Sequence, residues 1–109
     1  MLIKKNLFDV SQFNKILIAY KKVMNVHERV DPQEALDELF SSGRFVFSQG
    51  GENWITRLVF EVKEEFVDVR FETARRYQVG RFAQVMEKNK EAFEEELKKR
   101  VSVDQSNKA

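Results

Sequence analysis

The chain has 109 residues, of which 42% are hydrophobic and 34% are charged, so it can bury one core and is too apolar for a disordered protein. It contains no cysteine, which excludes disulfides, thiolate metal sites and cysteine catalysis. The formal net charge of +1 excludes a whole-molecule field that attracts nucleic acid.

The charge is unevenly distributed along the chain. Residues 1–30 carry +4, residues 31–72 carry −6 and residues 73–109 carry +3. A local basic patch is therefore expected only if the two ends meet in space. The first ten residues, MLIKKNLFDV, contain no long apolar run after their lysines, so we predict neither a signal peptide nor a membrane anchor. We expect a cytoplasmic protein without membrane contact.

The first helical pattern predicts a helix over about residues 10–25. Asp9, followed by Gln12 three residues later, predicts a capping box at its start, with Ser11 as the competing cap. The preceding residues 1–8 are rich in apolar side chains and fit either a short edge strand or a packed arm. The apolar stripe of the helix consists of Phe13, Ile16, Leu17, Tyr20, Val23 and Met24.

A second helix is predicted by the segment DPQEALDELFSSG. Asp31 is placed as the N-cap, and Pro32 occupies the first helical position, where its missing N–H costs nothing. Glu34 is placed to reach back to the cap. Gly43 supplies the left-handed residue that ends a helix.

After this helix the apolar period changes from 3.6 to 2, and residues 44–73 predict three antiparallel strands. A two-residue turn at Gly50-Gly51 would place Phe47 opposite Trp54. A four-residue loop over residues 50–53 would shift the strand pairs but leave the same side chains on the same face of the sheet. A strand rather than a helix follows these glycines and no lysine accompanies them, so we interpret them as turn residues and not as a phosphate-binding loop. A second turn at Glu64-Glu65 predicts the pairs Val62–Val67, Phe60–Val69 and Leu58–Phe71.

The last helix is predicted to begin between residues 74 and 81. Its apolar stripe includes Phe82 and Phe93, and three Glu-to-Lys or Glu-to-Arg pairs at i,i+4 spacing follow over residues 94–100. The sequence thus predicts an α+β fold in which helices cover one face of a three-stranded antiparallel meander, in the order α-α-β-β-β-α. We expect one domain over residues 1–101 and a flexible tail over residues 102–109. The expected core is Phe13, Ile16, Leu17, Tyr20, Leu36, Leu39, Phe40, Phe45, Phe47, Trp54, Leu58, Phe60, Val62, Val67, Val69, Phe71, Phe82, Met86 and Phe93.

No residue pattern in the chain predicts catalysis. His27 is the only histidine, and no patterned nucleophile or second ligand accompanies it. The paired carboxylates lie where solvent-facing residues are expected, without apolar neighbours that would raise a pKa. Ser41 and Ser42 fall at a helix end with no base nearby in the pattern. We therefore predict a non-enzymatic protein with no catalytic, cofactor-binding or metal-binding residue.

The outward positions of the predicted sheet suggest a protein interface. Val46, Ile55 and Val59 are β-branched apolar residues on a face that should be solvated, with Arg57 and Arg70 beside them. The predicted registers place Val46 near Ile55. A three-stranded sheet also has two open edges, at which another chain can pair. We therefore predict a small protein-interaction or regulatory module that binds another protein or itself, as a homo-oligomer, through this face or an edge strand.

Nucleic-acid binding is the alternative function. The segment ARRYQVGRFAQ holds arginines beside aromatic residues, which can bind phosphates and stack on bases, although no RNP, helix-turn-helix or KH pattern accompanies them. Two lysines of the first helix would extend this surface. The residues of this alternative site are Lys21, Lys22, Arg75, Arg76, Tyr77 and Arg81.

Overall fold

The computed structural model describes the backbone of residues 1–24, 26–50, 54–75 and 80–100, and the side chains of residues 1–24, 26–48, 56–72 and 87–100. In chain order the elements are β1 (Leu2–Lys4), a 3₁₀ helix (Lys5–Leu7), α1 (Val10–Met24), α2 (Pro32–Ser42), β2 (Arg44–Gly50), β3 (Trp54–Lys63), β4 (Phe66–Arg75) and α3 (Gly80–Arg100). The predicted tail over residues 102–109 lies outside the described residues.

The α+β class is confirmed, but the prediction of three strands is wrong. The antiparallel sheet has four strands in the order β1-β4-β3-β2, and the first eight residues supply the additional edge strand. In β1 only Ile3 is buried, with Leu2 and Lys4 exposed on either side. Three residues are too few for the alternation that identifies a strand, so the pairing of β1 with β4 decides between the two alternatives for residues 1–8, in favour of the edge strand.

The register of the sheet confirms one predicted hairpin and corrects the other. Between β3 and β4 the pairs Val62–Val67, Phe60–Val69 and Leu58–Phe71 are those predicted, with Glu64 and Glu65 as the turn. Between β2 and β3, Phe47 pairs with Leu58 and Gly50 pairs with Ile55, so Gly50 belongs to the strand and neither predicted first loop is right. The shift is an even number of residues, and the inward face is therefore preserved.

The helix ends follow the predicted local chemistry. The Asp9 carboxylate accepts a hydrogen bond from the Gln12 backbone N–H at 2.9 Å, and the Asp31 carboxylate accepts one from Gln33 N–H at 3.0 Å. Gly43 ends α2 with a φ of 87° and donates its N–H to Leu39 O. The reciprocal half of the capping box does not form, because the Gln12 side-chain oxygen is buried without a hydrogen-bond partner in the described part of the chain.

The core lies between one face of the sheet and the three helices. Phe13, Tyr20 and Phe60 are buried at its centre, and Tyr20 makes ring contacts with aromatic residues of β2, β4 and α3. Phe40 was predicted to be core but is 42% exposed, because it follows Leu39 and is rotated about 100° around α2 from the packed face. Phe45 and Val62 are only partly buried, and the side chains of Trp54, Phe82 and Met86 lie outside the described residues.

Candidate functional site: the outer face and the free edges of the sheet

The face of the sheet turned away from the helices, which we call the outer face, carries four of the five predicted interface side chains in described positions. Val46, Val59 and Arg70 form one row across β2, β3 and β4, and Arg57 lies two residues from Val59 on β3. Ile55 lies in β3 but pairs with Gly50, so the expectation that it lies near Val46 is wrong. The side chain of Ile55 is outside the described residues.

Val59 is fully buried, although its outward position in the sheet predicts contact with solvent. Its exposed fraction is 0%, although it does not belong to the core cluster between sheet and helices. It lies on the central strand, where Val46 and Arg70 flank it across the sheet and Arg57 and Glu61 flank it along β3. Long neighbouring side chains can cover a small one at such a position.

An ion-pair network around Arg70 occupies the β3–β4 half of the outer face. The Arg70 guanidinium donates to Asp68 at 2.6 Å, to Glu61 at 2.9 Å and, through Nε, to Glu72 at 3.1 Å. Asp68 and Glu72 lie two residues before and after Arg70 on the same face of β4, and Glu61 of β3 pairs with Asp68. The strand register therefore brings three carboxylates to one guanidinium.

The network favours the charged forms of Arg70 and Glu61. The hydrogen bonds that Arg70 donates to Asp68, Glu61 and Glu72 raise the pKa of Arg70, and the one donated to Glu61 lowers the pKa of Glu61. Lys63 Nζ adds weaker contacts at 3.9 Å to Glu61 and 3.8 Å to Asp68. The outer face thus carries charges that neutralise one another around a small apolar centre.

Each edge of the sheet has backbone N–H and C=O groups that pair with no described strand. The O atom of Gly43 accepts from Val62 N–H, so alternation along β2 directs the N–H and C=O groups of Val46 and Ser48 away from β3. No described strand pairs with that edge of β2. On the opposite side, β1 covers only the first part of β4.

A groove lies beside residues 69–72 of β4, next to the start of β1. Its volume is about 380 Å³, and it lies between β4 and α3. The sequence predicts open sheet edges, one of them at this strand, but not the groove, because the position of α3 beside β4 has no local sequence signal. The lining residues are Met1, Val69, Arg70, Phe71, Glu72, Lys90, Phe93, Glu94 and Leu97.

The residues of the nucleic-acid alternative are only partly described. α1 packs against α3, with the Tyr20 and Phe93 rings 5.9 Å apart, so the first and last helices do meet. Lys22 Nζ donates to Glu96 at 3.3 Å, and Glu96 also holds Arg100 at 3.1 Å. Lys21 is half-buried, and the side chains of Arg75, Arg76, Tyr77 and Arg81 lie outside the described residues.

Glu96 acts as the anionic centre of this helix contact. Burial alone would raise the pKa of Glu96, but hydrogen bonds from Arg100 and Lys22 outweigh that effect and lower it. The carboxylate therefore offsets cationic charge where α1 meets α3. Lys22 is held in a contact between helices, although most of its side chain remains exposed.

The residues considered for catalysis lie in a connecting segment and at a helix end. His27 is exposed in the segment between α1 and α2. The Ser42 hydroxyl donates to Glu38 O at 2.7 Å, a local side-chain bond to the preceding turn of α2. Within the described ranges, no three His, Asp or Glu side chains form a group that could hold a metal ion, and no helix is long and apolar enough to cross a membrane.

Comparison of the chain with protein families, curated proteins and solved structures gives no match. The geometry of the sheet is therefore the feature from which a function can be inferred.

Proposed function

We propose that this chain is a small non-catalytic protein-interaction module that contacts another protein, or a second copy of itself, through the outer face of its sheet. One observation carries the proposal: the helices pack together on the opposite face, and in the described part of the chain no element covers Val46, Arg57 and Arg70. Arginine is enriched in protein interfaces, where its planar group offers several donors.

The ordered side chains of this face support the proposal. Arg70 is fixed by three carboxylates, so little further side-chain entropy is lost when a partner arrives. Because Val59 is already covered, the half-buried Val46 is the apolar residue in this row that a partner can still reach. Binding is therefore expected to depend on Val46, with charged residues at the rim.

The test uses Val46→Lys, compared with Ile18→Lys as a matched control. Ile18 is 50% exposed on α1, away from the sheet, and so receives the same change on the other side of the molecule. A lysine on an edge strand is compatible with the fold and opposes contact with a second chain. The measurements are molar mass by light scattering over a wide range of concentrations and capture of partners by the immobilised chain.

We expect Val46→Lys to abolish association, whereas Ile18→Lys leaves it unchanged. Both variants should keep the circular dichroism spectrum of the parent chain. A parent chain that stays monomeric and retains no protein partner would contradict the proposed function. Equal loss in both variants would place the contact elsewhere and contradict the role of the outer face.

A further inference from the structure

The outer edge of β2, which we call the β2 edge, pairs with no described strand. β1, where the chain begins, lies at the opposite edge of the sheet, and α3, whose described part ends at Arg100, lies beside β4. β2 pairs with β3 over all seven of its residues, from Arg44 to Gly50. It contains neither lysine nor proline, two residue types that keep edge strands from pairing with other chains. The β2 edge is therefore open to a further strand.

The backbone groups of Val46 and Ser48 form the open part of the β2 edge. Alternation along β2 directs their N–H and C=O groups away from β3. The preceding N–H on this side, that of Arg44, donates to the Ser42 hydroxyl at 3.4 Å. The open part therefore begins at Val46, where an added strand can gain main-chain hydrogen bonds.

Two arginines lie on the outer face close to Val46. Arg44 is two residues before Val46 on β2, and Arg57 of β3 pairs with Ser48, two residues after it. Arg44 is exposed and Arg57 is half-buried. Neither guanidinium has an ion pair or a hydrogen bond in the described part of the chain, and Arg44 acts on Glu61 only through its charge at longer range.

The carboxylates of the outer face are bound by a different cation. Arg70 holds three of them at distances of 2.9, 2.6 and 3.1 Å. Glu72 lies directly opposite Arg57 in the strand register but contacts Arg70 instead. Positive charge therefore remains beside the β2 edge, where it attracts an anionic occupant.

The rows of the sheet define the side-chain pattern of an added strand. Its residues lie directly opposite those of β2, so on the outer face they meet Arg44, Val46 and Ser48 in three successive rows. A carboxylate in the first row faces the Arg44 guanidinium, and an apolar residue in the second covers Val46. A carboxylate in the third row lies across the small Ser48 side chain from Arg57.

The residues between these three positions point to the helix side of the sheet. There they lie opposite Phe45 and Phe47, of which Phe45 is only partly buried. α2 packs on that side and carries the exposed Glu34 and Glu38. Apolar inward residues therefore extend the core, whereas acidic ones would meet the like charge of α2.

A second copy of the chain does not supply this pattern. The sequence of β2 is RFVFSQG, in which Arg44 is the only charged residue. Pairing of two β2 strands would therefore bring another arginine, and no carboxylate, toward Arg44 and Arg57. Charge complementarity favours a different protein as the occupant.

We propose that the β2 edge binds an extended acidic segment of another protein, which pairs as a fifth strand and directs a carboxylate, an apolar residue and a second carboxylate onto the outer face at alternate positions. The inference rests on the proposed function, whose partner it specifies, and Val46 is the apolar contact in both. Backbone pairing supplies affinity, and the two arginines select for carboxylates.

The probe is an acetylated and amidated peptide with the core Glu-Val-Val-Val-Glu, flanked by glycine and serine and added to the ¹⁵N-labelled full chain. Its core reads the same in both directions, so it fits a parallel or an antiparallel strand. We expect chemical-shift changes and slower hydrogen exchange at the amides of Val46 and Ser48. The amides of Phe45 and Phe47 face β3 and serve as an internal reference. A peptide with lysine in place of both glutamates should not bind.

Two variants test the backbone and the charge separately. Ser48→Pro removes one edge N–H and should abolish peptide binding with the circular dichroism spectrum of the parent chain, because proline is tolerated where a strand N–H faces outward. Arg44→Glu should weaken binding about five- to tenfold, because it replaces an attraction with a repulsion. The matched control, Lys88→Glu, reverses an exposed charge on α3 and should alter affinity by no more than about twofold.

Three kinds of result would overturn the proposal. One is a titration without changes at the amides of Val46 and Ser48, or equal binding of the lysine peptide. Another is a response of these amides to a single-stranded oligonucleotide but not to the peptide, which would mean that the arginines bind phosphates. The last is protection of the Val46 amide that rises with protein concentration in the absence of peptide, which would mean that a second copy occupies the β2 edge.

This test and the test of the proposed function can fail separately. A parent chain that retains a protein partner, loses it in Val46→Lys and does not bind the peptide contradicts the acidic segment alone. A parent chain that binds the peptide but stays monomeric and retains no partner contradicts the proposed function alone.

Discussion

The hydrogen bond between Tyr20 and Thr56 connects α1 to the middle of the sheet, and its removal gives a sharp test of the core. The two hydroxyl oxygens are 2.8 Å apart, and both residues are 0% exposed. Tyr20→Phe leaves the Thr56 hydroxyl buried without its partner. We expect the free energy of unfolding to fall by about 1–3 kcal/mol, which is the cost of one unsatisfied buried polar group.

A double-mutant cycle separates the hydrogen bond from the packing around it. Thr56→Val keeps the side-chain shape and should cost about as much as Tyr20→Phe, about 1–3 kcal/mol, because it strands the tyrosine hydroxyl. The double variant replaces both partners by apolar groups, so it should cost no more than about 1 kcal/mol. Urea denaturation followed by far-ultraviolet circular dichroism measures all four chains. If the two single costs simply add in the double variant, the hydroxyls are not paired.

The same tyrosine predicts a change of stability in alkaline solution. Burial raises the pKa of Tyr20 above its ordinary value of 10.0, and the hydrogen bond with Thr56 offsets part of that rise. The stability from the protonated phenol is therefore fully present below pH 10 and is lost as the pH rises through the higher pKa of the folded state. Unfolding free energy of the parent chain should decline above pH 10 more steeply than that of Tyr20→Phe. Parallel declines would contradict the burial of this hydroxyl.

Three further predictions concern local structure, and urea denaturation measures each of them. Gly43→Ala should lower the unfolding free energy by about 1–2 kcal/mol, because φ is 87° and alanine disfavours the left-handed region. Glu64→Gly, at a φ of 48°, should raise the unfolding free energy by about 0.5 kcal/mol. A change of the same sign in both variants would refute this account. Asp31→Ala should cost about 0.5–2 kcal/mol through loss of the N-cap, and an Asp31→Asn variant that loses as much would show that the cap is not the cause. Arg70→Gln should destabilise the chain at neutral pH and less in acid. The pKa of Glu61 is lowered in the folded state, so the contribution of this ion pair to stability disappears as the pH falls through that lowered pKa. An equal loss of unfolding free energy at both pH values would exclude this linkage.

The outer face shows how far strand periodicity predicts a candidate site. Alternation places Val46, Arg57, Val59 and Arg70 on one face, and the structure has them there. Periodicity carries no information on how neighbours cover a residue, so the complete burial of Val59 was not predicted. The groove between β4 and α3 also escaped prediction, because the elements that form it are distant in sequence.

The sequence by itself determined the features that depend on a few neighbouring residues. These are the extent of α1, the caps of α2, the turn at Glu64-Glu65 and the register that follows from it. Turn closure and capping act within a few bonds, so the residue types present are sufficient to specify them.

Tertiary structure alone decided the pairings between segments far apart in the chain. β1 is a strand because Ile3 fills the core beside Val67, whereas from the sequence alone a packed arm fits residues 1–8 as well as an edge strand. The β2–β3 register is set by the packing of Phe45 and Phe47 opposite Phe60 and Leu58, since several loop lengths would preserve the same inward face. Local propensity cannot distinguish such alternatives, because the energy that separates them comes from side-chain contacts that exist only once the sheet and helices have packed.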